Sequence, residues 1–212
     1  ARSSAPDAAA LRALDLVQAV LRRSSYLALL DEQPAALARL IDVMARSQWM
    51  AERLCAHPLL LDELLDARAD AAPPAREEIE AALAHALSAG VADDVEARLL
   101  VLNEFRQSCA FRVARARLVE RQDAPCSARQ LALIAESVLG AVLPMAIEDL
   151  ARQHGHLRAG GVAAIAYGSF GGGELGLGSD LDLVFLYDAA HDGLETDGAR
   201  PLEAVRYHTR VV

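Results

Sequence analysis

Two aspartates follow a glycine-rich segment at a short, fixed distance. Residues 168–173 contain four glycines, and Asp180 and Asp182 lie a few residues further along the chain. Apolar runs at 162–167 and 181–187 flank this region and predict two buried strands. Because strand side chains alternate between the two faces of a sheet, both aspartates are expected on one face, where a carboxylate pair can hold one or two Mg²⁺ ions.

The glycine-rich segment predicts a phosphate-binding turn. Glycines lack a Cβ atom and tolerate positive φ, so their backbone N–H groups can lie against a triphosphate. Mg²⁺ held by Asp180 and Asp182 would polarise the α-phosphorus and neutralise a leaving pyrophosphate. The predicted chemistry is in-line nucleotidyl transfer, with both aspartates as catalytic and metal residues. The predicted nucleotide contacts are Gly168, Ser169, Gly171, Gly172 and Ser179.

Several of these residues also have a purely structural interpretation. Asp180 and Asp182 could be acids at a solvated strand end, but the glycine turn before them and the apolar run after them favour a site. Ser169 and Ser179 are either turn residues or phosphate contacts. Glu174 is interpreted as the cap of a short helix.

The motif resembles that of the nucleotidyltransferase superfamily that includes DNA polymerase β. Tyr167-Gly168-Ser169 and Asp180-Leu181-Asp182 fill the places of its signature. Within the superfamily, the segment from Gly171 to Asp188 resembles the bifunctional glutamine synthetase adenylyltransferase and adenylyl-removing enzymes, which carry Gly-x11-Asp-x-Asp in each half. The resemblance runs from about residue 20 to the end of the chain, and residues 22–66 resemble the segment leading into the C-terminal, adenylylating domain.

This resemblance implies adenylylation of a tyrosine on glutamine synthetase with MgATP, release of pyrophosphate, and control of nitrogen assimilation. It also implies the signal protein PII as a partner. Two alternatives stay open: the phosphorolytic adenylyl-removing half, and a non-catalytic helical module that binds glutamine synthetase or PII. The family usually has Lys-Leu where this chain has Ser169-Phe170, which bears on nucleotide affinity. A third catalytic carboxylate is expected beyond Val212, so the chain is expected to be an internal fragment that is inactive alone.

Composition restricts the function further. The chain has 53% hydrophobic and only 4% aromatic residues, which predicts aliphatic helices. The net charge of −9 argues against a nucleic-acid surface. Three scattered cysteines indicate a reducing, cytoplasmic setting. The sequence contains no run of eighteen or more apolar residues, so it predicts no membrane span.

The predicted fold class is α+β and predominantly α-helical. Residues 1–153 are expected to form a helical region, with its longest helices over 93–119 and 127–153 and a kink at Pro144. Helix stops are expected at Pro34, Pro73 and Gly90 among others. Residues 154–212 are expected to begin a nucleotidyltransferase domain with the first two strands of a polymerase-β-like sheet.

Three features outside the motif are given structural interpretations. The four arginines of the first long helix and the turn after it, Arg112, Arg115, Arg117 and Arg121, are expected on a solvated face rather than at the nucleotide or a partner. His154-Gly155-His156 is expected to be a solvated turn rather than a zinc site. Tyr26 and Trp49 are expected in the core.

Overall fold

The computed structural model describes residues 6–21, 24–66, 74–89, 94–158, 160–188 and 193–212. The chain divides into two compact units. The first comprises residues 1–74 and 107–127, and the second comprises residues 75–106 and 128–212. The predicted boundary at residue 153, between a helical region and a nucleotidyltransferase domain, is not tested by this division into compact units. It stays a prediction. The stops predicted at Pro73 and Gly90 lie outside the described residues.

Helices form the described part of the first unit. They are α1 (Pro6–Val20), α2 (Ser24–Glu32), α3 (Pro34–Arg46), α4 (Gln48–Ala56), α5 (Leu61–Leu65) and the later part of α7 (Val95–Leu118), with a 3-10 turn at Pro58–Leu60. Pro34 occupies the first turn of α3, as predicted, where its missing N–H has no acceptor to lose. Leu40, Val43 and Met44 recur at helical spacing and are buried. Tyr26 is buried as expected, whereas Trp49 is half-buried with Arg53 over its ring.

One of the four arginines departs from the expected solvated face. Arg117 and Arg121 are exposed, Arg112 is half-buried and lies 3.2 Å from a carboxylate oxygen of Glu63, and Arg115 is only 5% exposed. Its guanidinium donates to Asp42 Oδ2 at 2.9 Å. The expectation was wrong for Arg115 because a partner 73 residues away in sequence compensates its buried charge.

The second unit is built on longer helices. Its helices are α6 (Arg76–Ala89), the early part of α7 (Val95–Leu118), most of α8 (Ala124–His154), α9 (Gly168–Gly171) and α10 (Ala204–Val211). Leu83, Leu102 and Met145 form a buried cluster between α6, α7 and α8. The helix predicted from residue 127 begins three residues earlier, because Asp123 Oδ1 accepts the N–H of Cys126 and caps it. The helix continues unbroken through Pro144.

Helix α8 is the one helix in the described residues long and apolar enough to cross a membrane, by length and composition alone. Core helices of water-soluble proteins pass the same test. Met145 of this helix lies in the buried cluster with α6 and α7, and Glu136 on the same helix pairs with Arg76 of α6 at 2.8 Å. These contacts cover part of the helix, and 28% of its most apolar stretch is buried.

The sheet consists of two antiparallel strands, β1 (Val162–Ala166) and β2 (Leu183–Tyr187). Their register runs from Val162 opposite Tyr187 to Ala166 opposite Leu183. The predominantly helical α+β class is thus confirmed. The expectation of buried strands was wrong: Val162, Ala164 and Ala166 on one face of β1 are half-buried, and residues of the other face are exposed.

Hydrogen bonds join the end of α8 to α10 and to the loop before it. His154 Nδ1 lies 2.7 Å from the carbonyl oxygen of Arg200, and Arg210 donates to His154 Nε2 at 3.1 Å. The N–H of His156 donates to Asp197 at 2.8 Å and, with Arg158, holds the pKa of Asp197 below its usual value. Among the described residues no cluster of three or more metal-ligating side chains includes either histidine.

Candidate nucleotide and metal site

Tyr167 joins the end of β1 to the glycine-rich turn. Its N–H donates to the carbonyl oxygen of Asp182 at 2.8 Å, which extends the strand pairing by one residue. Its own carbonyl accepts the N–H of Gly171 at 2.9 Å and closes the first turn of α9. The backbone of this one residue therefore fixes Asp182 relative to the turn.

Gly168 lies directly against the side chain of Asp182. A Cβ atom built at Gly168 would stand 2.3 Å from Asp182 Oδ2, and the residue has a φ of +55°. Side chains other than hydrogen are disfavoured at such a φ. Glycine is therefore required at this position for two reasons. The backbone conformation favours glycine, and the carboxylate of Asp182 occupies the space that a Cβ atom would need.

A second close approach explains Gly171. Its built Cβ would lie 2.4 Å from the carbonyl oxygen of Ala166, so a side chain there would collide with the strand that has just ended. The N–H groups of Gly171 and Gly172 are already bonded to Tyr167 and Gly168, at 2.9 and 3.0 Å. These two predicted nucleotide contacts thus shape the turn with their backbones.

The start of α9 leaves backbone donors without an acceptor inside the helix. The first N–H groups of a helix have no acceptor within it, and here they belong to Gly168, Ser169 and Phe170. Sequence reasoning missed the amide of Phe170. The signal that could have located this amide is a strand followed at once by Gly-Ser. Such a sequence indicates a helix that begins where the strand ends.

The two serines hold different places. Ser179 Oγ accepts the N–H of Gly176 at 3.0 Å, so its hydroxyl closes the turn that leads into the aspartates. Ser169 is half-buried, and its carbonyl accepts the N–H of Glu174 at 2.7 Å. The short helix expected at Glu174 was wrongly placed. It is formed by Gly168–Gly171, and Glu174 lies exposed beyond it.

Asp180 and Asp182 are both exposed and precede β2. Only Asp182 shares in the strand pairing, whereas Asp180 belongs to the incoming loop. In the described residues no cluster of three or more potential metal-ligating side chains contains this pair. Two carboxylates open to solvent still fit Mg²⁺, which favours oxygen ligands and keeps several waters or phosphate oxygens in its shell.

Behind the turn lies a cavity of about 470 Å³, between α8, Arg76 of α6 and the half-buried face of β1. Ala164 and Ala166 line it, and their small side chains leave the space open. Arg76 crosses it to Glu136, and this hydrogen bond lowers the pKa of Glu136. The alternation of β1 side chains places the cavity on the opposite face of the sheet from Asp182.

Comparison with known proteins identifies relatives over nearly the whole chain. The family model for glutamate-ammonia ligase adenylyltransferase matches residues 37–212. A bifunctional glutamine synthetase adenylyltransferase/adenylyl-removing enzyme of Xanthomonas axonopodis is 55% identical over 210 residues. Proteins with the same description are 40% identical in Thioalkalivibrio sulfidiphilus and 38% identical in Pseudomonas putida.

The alignments cover 99% of this chain with the Xanthomonas protein and 97% with each of the other two. In every case the chain spans 22% of the relative's length. The matched region includes both the glycine-rich turn and the two aspartates. The chain therefore belongs to the glutamate-ammonia ligase adenylyltransferase family.

Proposed function

We propose that this chain carries the nucleotide and metal site of an adenylyltransferase that transfers AMP from MgATP to a tyrosine of glutamine synthetase. Asp180 and Asp182 are the metal-binding pair in this proposal. The turn that begins at Gly168 holds the phosphates. PII is proposed as a regulatory partner, and the site of action is the cytoplasm.

The observation that carries the proposal is the contact between Asp182 and Gly168. Nucleotidyl transfer needs a metal-binding carboxylate beside a phosphate-binding backbone, because Mg²⁺ held there would neutralise the charge of the phosphates. A Cβ atom at Gly168 would stand 2.3 Å from Asp182 Oδ2, so carboxylate and turn are immediate neighbours. The hydrogen bond between Tyr167 and Asp182 keeps them so.

Each part of the site has a defined task. The N–H groups at the start of α9 orient the triphosphate, and Asp180 with Asp182 fix the metal. When bound, Mg²⁺ supplies neutralisation of charge on the triphosphate and on the departing pyrophosphate. Both aspartates are solvent-exposed, so a tyrosine on the surface of another protein can approach. The tyrosyl oxygen forms a bond to the α-phosphorus while the bond from that phosphorus to the bridging oxygen of the β-phosphate breaks. Pyrophosphate leaves, and the phenolic proton passes to solvent.

Because the chain spans 22% of the Xanthomonas relative, the test places it in that protein. The matching segment of the relative is replaced by residues 1–212, and the chimera is incubated with Mg²⁺, ATP labelled in the α-phosphate and unmodified glutamine synthetase. Label on a tyrosine is expected. Asp180→Asn and Asp182→Asn should each reduce labelling at least about a hundredfold, since a lost metal ligand removes several kcal/mol of stabilisation. Glu104→Gln, which removes an exposed charge on α7, is the matched control.

A second arm addresses the adenylyl-removing activity named for the relatives. The relative's other Gly-x11-Asp-x-Asp motif is first inactivated by substitution of its aspartates. The chimera is then given phosphate and pre-adenylylated glutamine synthetase. Phosphate-dependent release without labelling would move the assignment to the removing half, and failure of both reactions would favour a binding module.

A further inference from the structure

Tyr167 occupies a special position between the carboxylate and the turn. It is the last extended residue before Gly168, with φ −120° and ψ −179°. Its N–H is bonded to Asp182 and its carbonyl to Gly171. The backbone of Tyr167 therefore joins the two halves of the proposed site.

The side chains of Tyr167 and Asp182 project from the same face of the sheet. Ala166 lies opposite Leu183, so the next pair along the ladder is Tyr167 with Asp182. Directly opposed residues of antiparallel strands share a face, with Cβ atoms roughly 5 Å apart. The phenol therefore stands beside the carboxylate on the exposed face, away from the cavity lined by Ala164 and Ala166.

The ring is also available to a ligand. Tyr167 is 56% exposed, and within the described ranges its side chain has neither a hydrogen bond nor a ring contact. Tyr187 at the other end of the sheet differs, because it stacks on His208 with ring centroids 5.1 Å apart. An exposed tyrosine side chain without a partner, next to a phosphate-binding turn, has an O–H donor to offer.

We propose that Tyr167 is a further nucleotide-binding residue, whose hydroxyl donates a hydrogen bond to the pyrophosphate portion of ATP. This inference rests on the proposed function. The turn places that portion of the nucleotide at the start of α9, directly after Tyr167, and the charge on the phosphates makes such a bond stronger than one between neutral groups.

Binding of MgATP and of magnesium pyrophosphate to the isolated chain tests the proposal by calorimetry. Tyr167→Phe should weaken both ligands about tenfold, the loss of one hydrogen bond to a charged group. Tyr187→Phe is the matched control. It removes a hydroxyl from the same sheet, roughly 16 Å further along, and should leave both affinities unchanged. Thermal unfolding of both variants checks that the fold is kept.

Two results would overturn the proposal. Unchanged affinity in Tyr167→Phe would show that the hydroxyl makes no contact. Loss of ATP binding in Tyr167→Ala but not in Tyr167→Phe, with pyrophosphate binding intact, would show that the ring packs on the adenosine portion instead. Wild-type chain that binds neither ligand would contradict the proposed function itself, and the inference about Tyr167 with it.

Discussion

The carboxylate of Asp182 fills the space that a side chain at Gly168 would need, since a Cβ atom built there stands 2.3 Å from Oδ2. The substitution Gly168→Ala should therefore push the carboxylate out of place as well as strain a backbone held at φ +55°. The strain alone costs about 1 to 2 kcal/mol of stability. We expect a lower melting temperature and MgATP affinity reduced by at least tenfold.

Gly161→Ala provides the control, because a Cβ atom built at Gly161 has nothing within 4 Å. Calorimetric titration with MgATP and thermal unfolding are compared for the two variants. Equal effects of the two substitutions would show that the space beside Asp182 is not what makes Gly168 necessary.

Ser179 is expected to act on the turn before the aspartates. Ser179→Ala removes the oxygen that accepts the N–H of Gly176 at 3.0 Å and should cost about 1 kcal/mol. The amide of Gly176 should then exchange faster with deuterium by nuclear magnetic resonance. An unchanged exchange rate, together with weakened MgATP binding, would instead make the hydroxyl a direct phosphate contact.

The buried pair of Arg115 and Asp42 should be costly to break from one side. Asp42→Asn removes the carboxylate charge that lies 2.9 Å from the guanidinium of Arg115, which is 5% exposed. We expect a loss of about 2 kcal/mol in the free energy of unfolding, below the range for fully buried pairs because Asp42 is partly exposed. Urea denaturation measures it. The double variant Asp42→Asn, Arg115→Met should be more stable than Asp42→Asn alone. If its loss of unfolding free energy equals the sum of the losses in the two single variants, the two residues do not act as a pair.

His208 should make the stability depend on pH. It is 3% exposed, neither ring nitrogen has a hydrogen-bond partner within the described ranges, and burial lowers its pKa from 6.5 while Asp188 opposes the shift. Because the folded state protonates less readily than the unfolded chain, stability should be full above pH 6.5 and fall as pH drops from there through the folded-state pKa.

Thermal unfolding between pH 8 and pH 5 follows this loss. His208→Phe, which keeps a ring against Tyr187, should flatten the curve over that interval, whereas the exposed His85→Gln should leave it as it is. The carboxyl groups with lowered pKa values, Glu136 and Asp197, change the stability only at more acidic pH. An unaltered curve in His208→Phe would assign the pH dependence to other groups.

Local patterns were enough to predict much of this fold. The spacing of apolar residues located α7, β1 and β2 to within two residues of their ends. The start of α8 was missed by three, although Asp123 before Ala124-Pro125 is a readable capping signal. The glycines of residues 168–173 indicated a turn between the two strands, and the structure has α9 there. These features depend on neighbours in sequence, and the sequence shows them directly.

Features that depend on distant partners could not be predicted in this way. An apolar run does not show whether one or both faces of a strand are covered, so the exposure of Val184 and Leu186 was not foreseen. The burial of Arg115 depends on Asp42, far away in sequence. The closeness of Gly168 and Asp182 depends on the register of the two strands, which spacing alone leaves open.

The most direct test of the central claim is Mg²⁺-dependent binding of ATP by the isolated chain, compared between wild type, Asp182→Asn and Glu104→Gln. We expect binding that requires Mg²⁺, is lost in Asp182→Asn and is kept in Glu104→Gln. Binding that persists in Asp182→Asn, or that does not depend on Mg²⁺, would contradict a metal and nucleotide site at Gly168 and Asp182.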